Sequence, residues 1–225
     1  MLHSSYYFTK EDMSAFSYLF QDTIYVWEVL SKISIFLKNH TLGKIEIQVP
    51  EGVYLENPEL ISIGKGTKIE PGVYIKGPVI IGKECKILHG AYIRENTILG
   101  DRAVVGHNTE VKNSLFLERA HAPHFNYVGD SILGTDTNLG AGVICANLRL
   151  DKKKISVNVQ DKKIETGMAK LGLILGSRSQ IGCNTVTSPG TFIGCDVFCD
   201  SCITIKGFIP SNAKVKSQKT YIVEA

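Results

Sequence analysis

The sequence predicts an all-β chain wound into a triangular parallel β-helix, with a short helical cap at its N-terminus. Three observations carry that prediction. An aliphatic residue recurs at every sixth position, glycine often follows it, and the first forty or so residues keep a different period. From Ile63 the aliphatic series runs through Ile69, Ile75, Ile81, Ile87, Ile93, Leu99, Val105, Val111 and Leu117. Glycine follows it at Gly64, Gly82, Gly100 and Gly106, and the pairing resumes at Leu133-Gly134, Leu139-Gly140, Leu175-Gly176, Ile181-Gly182 and Ile193-Gly194. A period of six fits neither an amphipathic helix nor a flat alternating strand. It fits a short strand and a corner, with the aliphatic side chain inward and glycine easing the bend. Three such faces close one coil of about eighteen residues, and stacked coils form a repeat architecture.

Each segment follows in order. Residues 1–48 read as the helical cap. Thr9 to Asp12 form a capping-box pattern, followed by Phe16, Leu19 and Phe20, then Val26, Leu30, Ile33 and Leu37 at helical spacing. One or two helices are expected to cover the open first coil, whose backbone edge would otherwise be unpaired. Residues 49–207 read as the coil itself. Its spacing slips by one residue around His121–Val128. The pattern vanishes over about 149–170, where the lysine-rich KKKISVNVQDKKIETG reads as an excursion, with the alternation of a hairpin. Residues 208–225, with Pro210 and several lysines, read as a tail.

Composition narrows the function. A net charge of +3 over 225 residues is too small to argue for nucleic acid. No apolar run approaches the ~18 residues that span a bilayer, and Met1 does not open a signal peptide. A cytoplasmic protein with six thiols is the expectation. Cys195, Cys199 and Cys202 form C-x3-C-x2-C, but no histidine lies near them in sequence and no CxxC pairs occur. They read as packing residues, and no metal site is expected.

Residues eighteen apart should stack at about 4.7–4.9 Å on successive coils. Lys76, Arg94 and Lys112 form such a column. Adjacent cations repel by about 1 kcal/mol even in water, so the column points to an anionic ligand such as phosphate. Its plain alternative is solvated side chains that splay apart. His89 and His107 form a second column, read as surface.

The run GHNTEVKNS…HFNYVGDSILGTDTNLGAG, from Gly106 onward, resembles the acetyltransferase domain of the bifunctional N-acetylglucosamine-1-phosphate uridyltransferase/glucosamine-1-phosphate acetyltransferase. It is more similar still to the C-terminal domains of archaeal sugar-1-phosphate nucleotidylyltransferases, which share ANLR and the insertion after it. The resemblance covers about residues 50–207. It implies a left-handed β-helix, although right-handed crossovers are the general rule. By the same resemblance His124 is the catalytic histidine and Glu110 the carboxylate that orients it. Arg94 and Lys112 hold the sugar phosphate, Tyr127 and Asn138 line the sugar, and Asn147 and Lys153 stand near the substrate. Ala141 faces the thioester of acetyl-CoA, and Cys183 and Ser201 lie beside the coenzyme. Ala146-Asn147-Leu148 replaces the bacterial C-N-Y run, so one aromatic contact is missing. No GxGTRM-like loop precedes the repeats, so uridylyl transfer is not expected from these residues.

Those residues suit acetyl transfer. An ammonium has no lone pair to attack a thioester, and a histidine with a pKa near 6.5 is suited to take its proton. A backbone N–H around Gly140-Ala141 would face the oxyanion, and the cations would fix the acceptor. No step needs a metal. The implied protein is a homotrimer that supplies nucleotide-sugar synthesis for the cell envelope, with a separate nucleotidyltransferase as a partner. The alternative is a non-catalytic homologue that binds sugar phosphate. A zinc-dependent γ-carbonic anhydrase on this scaffold would need a histidine pair five residues apart, and the sequence has none.

Overall fold

The computed structural model describes residues 1–159 and 162–217. It is a left-handed parallel β-helix, and among the described residues its three faces are sheets of eight short strands each. Face 1 runs from Tyr54–Glu56 through Tyr74–Lys76, Tyr92–Ile93, Glu110–Lys112, Tyr127–Gly129 and Ile144–Cys145 to Val186–Thr187 and Thr204–Ile205. Face 2 begins at Ile61–Ile63 and face 3 at Lys68–Ile69. Strands two to four residues long hold because the backbone of one coil pairs with the coils above and below, and inward side chains stack in columns. The core column is Ile63, Ile81, Leu99, Phe116, Leu133, Leu175 and Ile193 on face 2, with matching columns on the others. Left-handed corner residues such as Asn96, Asn113 and Asp130 turn the chain between faces 1 and 2.

The structure moves three of the sequence expectations. The inward residue after Val111 is Phe116, not Leu117, because that step is five residues long. Leu115, Phe116 and Leu117 are all apolar, so a six-residue count cannot choose among them. A second five-residue step, from Val128 to Leu133, repeats the shortening at the same corner. The slip expected at His121–Val128 is therefore two short steps flanking it. The coil also extends beyond both expected ends. Ile45 bridges to Ile63, and strands at Phe208–Ile209 and Lys214–Val215 continue faces 2 and 3 through what read as a tail. Pro210 is tolerated because it follows the Phe208–Ile209 strand, where no ladder donor is needed. Residues 218–225 of that tail lie outside the described residues.

The N-terminal segment also departs from expectation. It contains α1 (Lys10–Met13), α2 (Ser17–Phe20) and α3 (Glu28–Asn39). The capping box forms, with Asp12 N donating to Thr9 Oγ1 and Thr9 N to Asp12 Oδ2. These helices do not close the first coil; they lie along the outer side of face 2. Tyr7, Phe8, Leu19, Trp27, Leu30 and Ile33 bury the outward residues Ile98, Leu115, Ile132, Ile174 and Phe192. Burying each such side chain contributes about 1.5–3 kcal/mol, and the bare stripe would be an aggregation surface. Polar contacts fix the fit: Ser177 N donates to Tyr7 O, and Ser177 Oγ to Asp12. The excursion is an antiparallel hairpin, Ser156–Val159 with Lys162–Glu165. Its Ile155 and Val157 join the same cluster. No helix among the described residues is long and apolar enough to cross a membrane.

Candidate active site

Two neighbouring corners and the face between them gather most of the expected site residues. The corner between faces 3 and 1 is a ladder of backbone bonds. Asn108 N donates to His89 O, Phe125 N to His107 O, Gly142 N to His124 O, Asn184 N to Ala141 O, and Cys202 N to Cys183 O. His89, His107, His124, Ala141 and Cys183 are thus successive rungs of one column, and Ser201 is the next. The expected base lies directly below the expected coenzyme positions, although Ser201 is far from it in sequence. His124 is exposed, and among the described residues its ring makes no hydrogen bond. His107 Nδ1 bonds His89 O at 2.9 Å, and its ring stacks on His89 at 5.6 Å. Gly106 makes this corner possible, since a Cβ there would stand 1.6 Å from Pro123 O on the next coil. Gly140 N–H is taken by Ile181 O at 2.7 Å, whereas Ala141 N–H has no acceptor among the described residues.

Face 1 carries the expected substrate residues. Ile93 pairs with Val111, so Arg94 and Lys112 occupy adjacent rungs, with Lys76 one rung below Arg94. The column is not bare charge, however. Lys76 pairs with Glu56 at 3.1 Å, Arg94 with Glu110 at 2.9 Å and Lys112 with Asp130 at 3.8 Å. The repulsion expected from the sequence is offset by a carboxylate at each rung. The Glu110 hydrogen bond holds the Arg94 guanidinium pKa above its ordinary value, yet Arg94 Nε stays buried without a partner among the described residues. Glu110 therefore holds Arg94 and not His124, because Arg94 lies one rung below on the same face. Burial raises the Tyr127 hydroxyl pKa, against the opposing hydrogen bond from Asn147.

Asn147 is buried and donates to Tyr127 Oη at 3.2 Å and to Asp130 Oδ2 at 2.5 Å. Asn138 is half-buried on face 3, paired with His121 and Gln180. Lys153 is not brought to this group. Its backbone N–H bonds Asp151 Oδ1 in an exposed turn, and no side-chain contact joins it to the other site residues. Asp130 is the residue that sequence reasoning missed. Its signal was a spacing of seventeen: Asn96, Asn113, Asp130 and Asn147 follow one another at that interval. Among the described residues no group of three or more His, Cys, Asp or Glu is placed to hold a metal ion. All six cysteines are free. Burial raises the Cys85 and Cys199 thiols to about 11 and Cys145 to about 12.

Fold and repeat pattern together define a hexapeptide-repeat β-helix protein. Residues 75–169 match the family described as the GMPPB C-terminal domain. The bifunctional sugar-1-phosphate nucleotidylyltransferase/acetyltransferase of Sulfurisphaera tokodaii is 46% identical over 85 residues, 38% of this chain and 21% of that protein. The bifunctional protein GlmU of Methanococcus aeolicus is 31% identical over 198 residues, 88% of this chain and 47% of its own. The uncharacterised acetyltransferase YaiX of Escherichia coli K12 is 36% identical over 161 residues, 70% of each chain. The chain belongs to the family of acetyltransferase domains found in GlmU-like proteins. It spans about a fifth to a half of the length of the bifunctional relatives.

Proposed function

We propose that this protein is an acetyl-CoA-dependent N-acetyltransferase acting on a hexosamine 1-phosphate, glucosamine 1-phosphate or galactosamine 1-phosphate. The observation that carries the reading is the corner column that brings His124, Ala141, Cys183 and Ser201 onto consecutive rungs beside the Arg94–Lys112 face. Lys112 and His124 stand on neighbouring coils. Along the coil their positions are separated by five residues, at most about 16 Å of extended chain at ~3.3 Å each.

In this reading His124 takes the proton from the acceptor ammonium as the amine attacks the thioester carbonyl of acetyl-CoA. The carbonyl oxygen gains negative charge opposite the Ala141 N–H, and collapse expels the coenzyme thiolate, which is then protonated. Arg94 and Lys112 hold the phosphate, Tyr127, Asn138 and Asn147 the sugar. Phosphate competes with Glu110 for Arg94. The released carboxylate stands at the corner end of its strand, where it can stabilise the imidazolium. The enzyme works as a homotrimer in the cytoplasm and feeds nucleotide-sugar synthesis alongside a separate nucleotidyltransferase. A non-catalytic sugar-phosphate-binding role is the second reading, favoured by Leu148 in place of an aromatic contact. Thiol release from acetyl-CoA decides between them, measured with glucosamine, galactosamine and their 1-phosphates. Turnover is expected only with the phosphorylated amines. Binding without thiol release would refute acetyl transfer.

A further inference from the structure

We propose that Asp130 is a positioning residue that presets Lys112 and Asn147 for the acceptor; the inference rests on the acetyltransferase reading of that face. Asp130 is 5% exposed. A carboxylate so buried is retained at a large desolvation cost unless donors surround it. Among the described residues two amides donate to it, Asn113 Nδ2 at 2.7 Å on Oδ1 and Asn147 Nδ2 at 2.5 Å on Oδ2, and the Lys112 ammonium pairs with it at 3.8 Å. Through Asn147 it also reaches the Tyr127 hydroxyl. One side chain therefore links three of the residues assigned to the acceptor and none assigned to acetyl-CoA.

The local backbone explains why the carboxylate sits there. The two seventeen-residue coils put Asn113 and Asp130 on consecutive left-handed corner positions, at φ of 43° and 49°. Asn and Asp tolerate that conformation better than most residues, and stacked corners bring their side chains together. Lys112 is a flexible four-carbon chain with three donors. The ion pair with Asp130 restricts the stem and leaves the ammonium donors for a phosphate. The Lys112 side chain is 16% exposed, so this occurs where water screens the pair little. Asp130 touches no reacting atom in this arrangement; it acts through its neighbours.

The test uses calorimetric titration of glucosamine 1-phosphate and galactosamine 1-phosphate, with acetyl-CoA titrated separately. Asp130→Asn keeps the shape and removes the charge. It should weaken the better-bound hexosamine 1-phosphate by about tenfold or more, the scale of one lost charge-assisted hydrogen bond. Acetyl-CoA affinity should stay within about twofold. In a Lys112→Met background the same change should cost less than it does in the parent, because one of the two residues it positions is already gone. A purely structural role would weaken both ligands and add fully in that background. Either result overturns the proposal, as does unchanged hexosamine 1-phosphate affinity in folded Asp130→Asn. Should Asp130→Asn not fold, Asn113→Ala removes one tethering donor and must weaken the same ligand at least threefold; no change overturns the proposal. Wild-type protein that binds the hexosamine 1-phosphate but releases no thiol refutes acetyl transfer alone, and the binding test of Asp130 stands. Wild-type protein that binds neither 1-phosphate overturns the inference.

Discussion

His124→Ala separates chemistry from folding better than any other change on this chain. The imidazole is exposed and among the described residues makes no hydrogen bond, so its truncation should cost no more than about 0.5 kcal/mol of stability. The backbone bonds of His124, from Gly142 N and to Asn126 Oδ1, survive the substitution. Loss of a general base should lower turnover by about 10²–10⁴-fold, or roughly 2.7–5.5 kcal/mol of barrier. The expected deficit thus exceeds the expected structural effect several-fold. Initial rates of thiol release, with both substrates saturating, read it directly. Raising the pH towards the amine pKa should recover part of the rate, because more acceptor then arrives deprotonated. His107→Ala on the rung below is the control and should lose less than threefold. A folded His124→Ala protein that turns over within threefold of the parent would refute the base assignment.

Glu110→Gln should lower kcat more than it changes the KM for the phosphorylated acceptor, since the phosphate displaces Glu110 from Arg94 and the freed carboxylate serves the imidazolium; steady-state kinetics with acceptor varied will show which parameter moves. Gly106→Ala should destabilise the fold by at least 1 kcal/mol and depress activity, because its Cβ meets the Pro123 carbonyl with no space to yield; denaturant melting that leaves the midpoint unchanged would contradict the close corner packing. His121 is held below its ordinary pKa, chiefly by burial. The unfolded chain therefore binds its proton more readily, and this contribution to stability is present above pH about 6.5 and is lost as pH falls through the folded value. His121→Gln should flatten that part of the stability profile in melts run across the acidic range.

The periodicity from Ile63 to Val111 was legible because each inward slot is a β-branched or leucine side chain in a uniform coil. The same regularity placed Arg94 beside Lys112. It failed where the coil shortens: counting by eighteen put Leu117 inside and passed over the seventeen-residue spacing that joins Asn113 to Asp130. The resemblance pairs Glu110 with His124, whereas the rung below supplies Arg94 as its partner. The cover on face 2 left a trace that the six-residue count ignored. Ile80-Ile81, Ile98-Leu99, Leu115-Phe116, Ile132-Leu133, Ile174-Leu175 and Phe192-Ile193 are apolar doublets, and a strand buried on both sides needs both of its neighbours apolar.

The placement of the N-terminal segment has a consequence for how the chain is made. Each coil needs only the one before it, so the β-helix can grow rung by rung as residues leave the ribosome. Residues 1–39, which precede the coils, cannot follow that schedule. Tyr7 O accepts from Cys195 Sγ, 188 residues later in the chain, and the Tyr7 ring packs against Phe192. Tyr7, Phe8 and Trp27 must wait exposed until the last coils exist, a long-range closure of the kind that folds slowly. Residues 1–39 therefore find their place only after coils that follow them by more than 150 residues of chain, as the Tyr7–Cys195 contact shows.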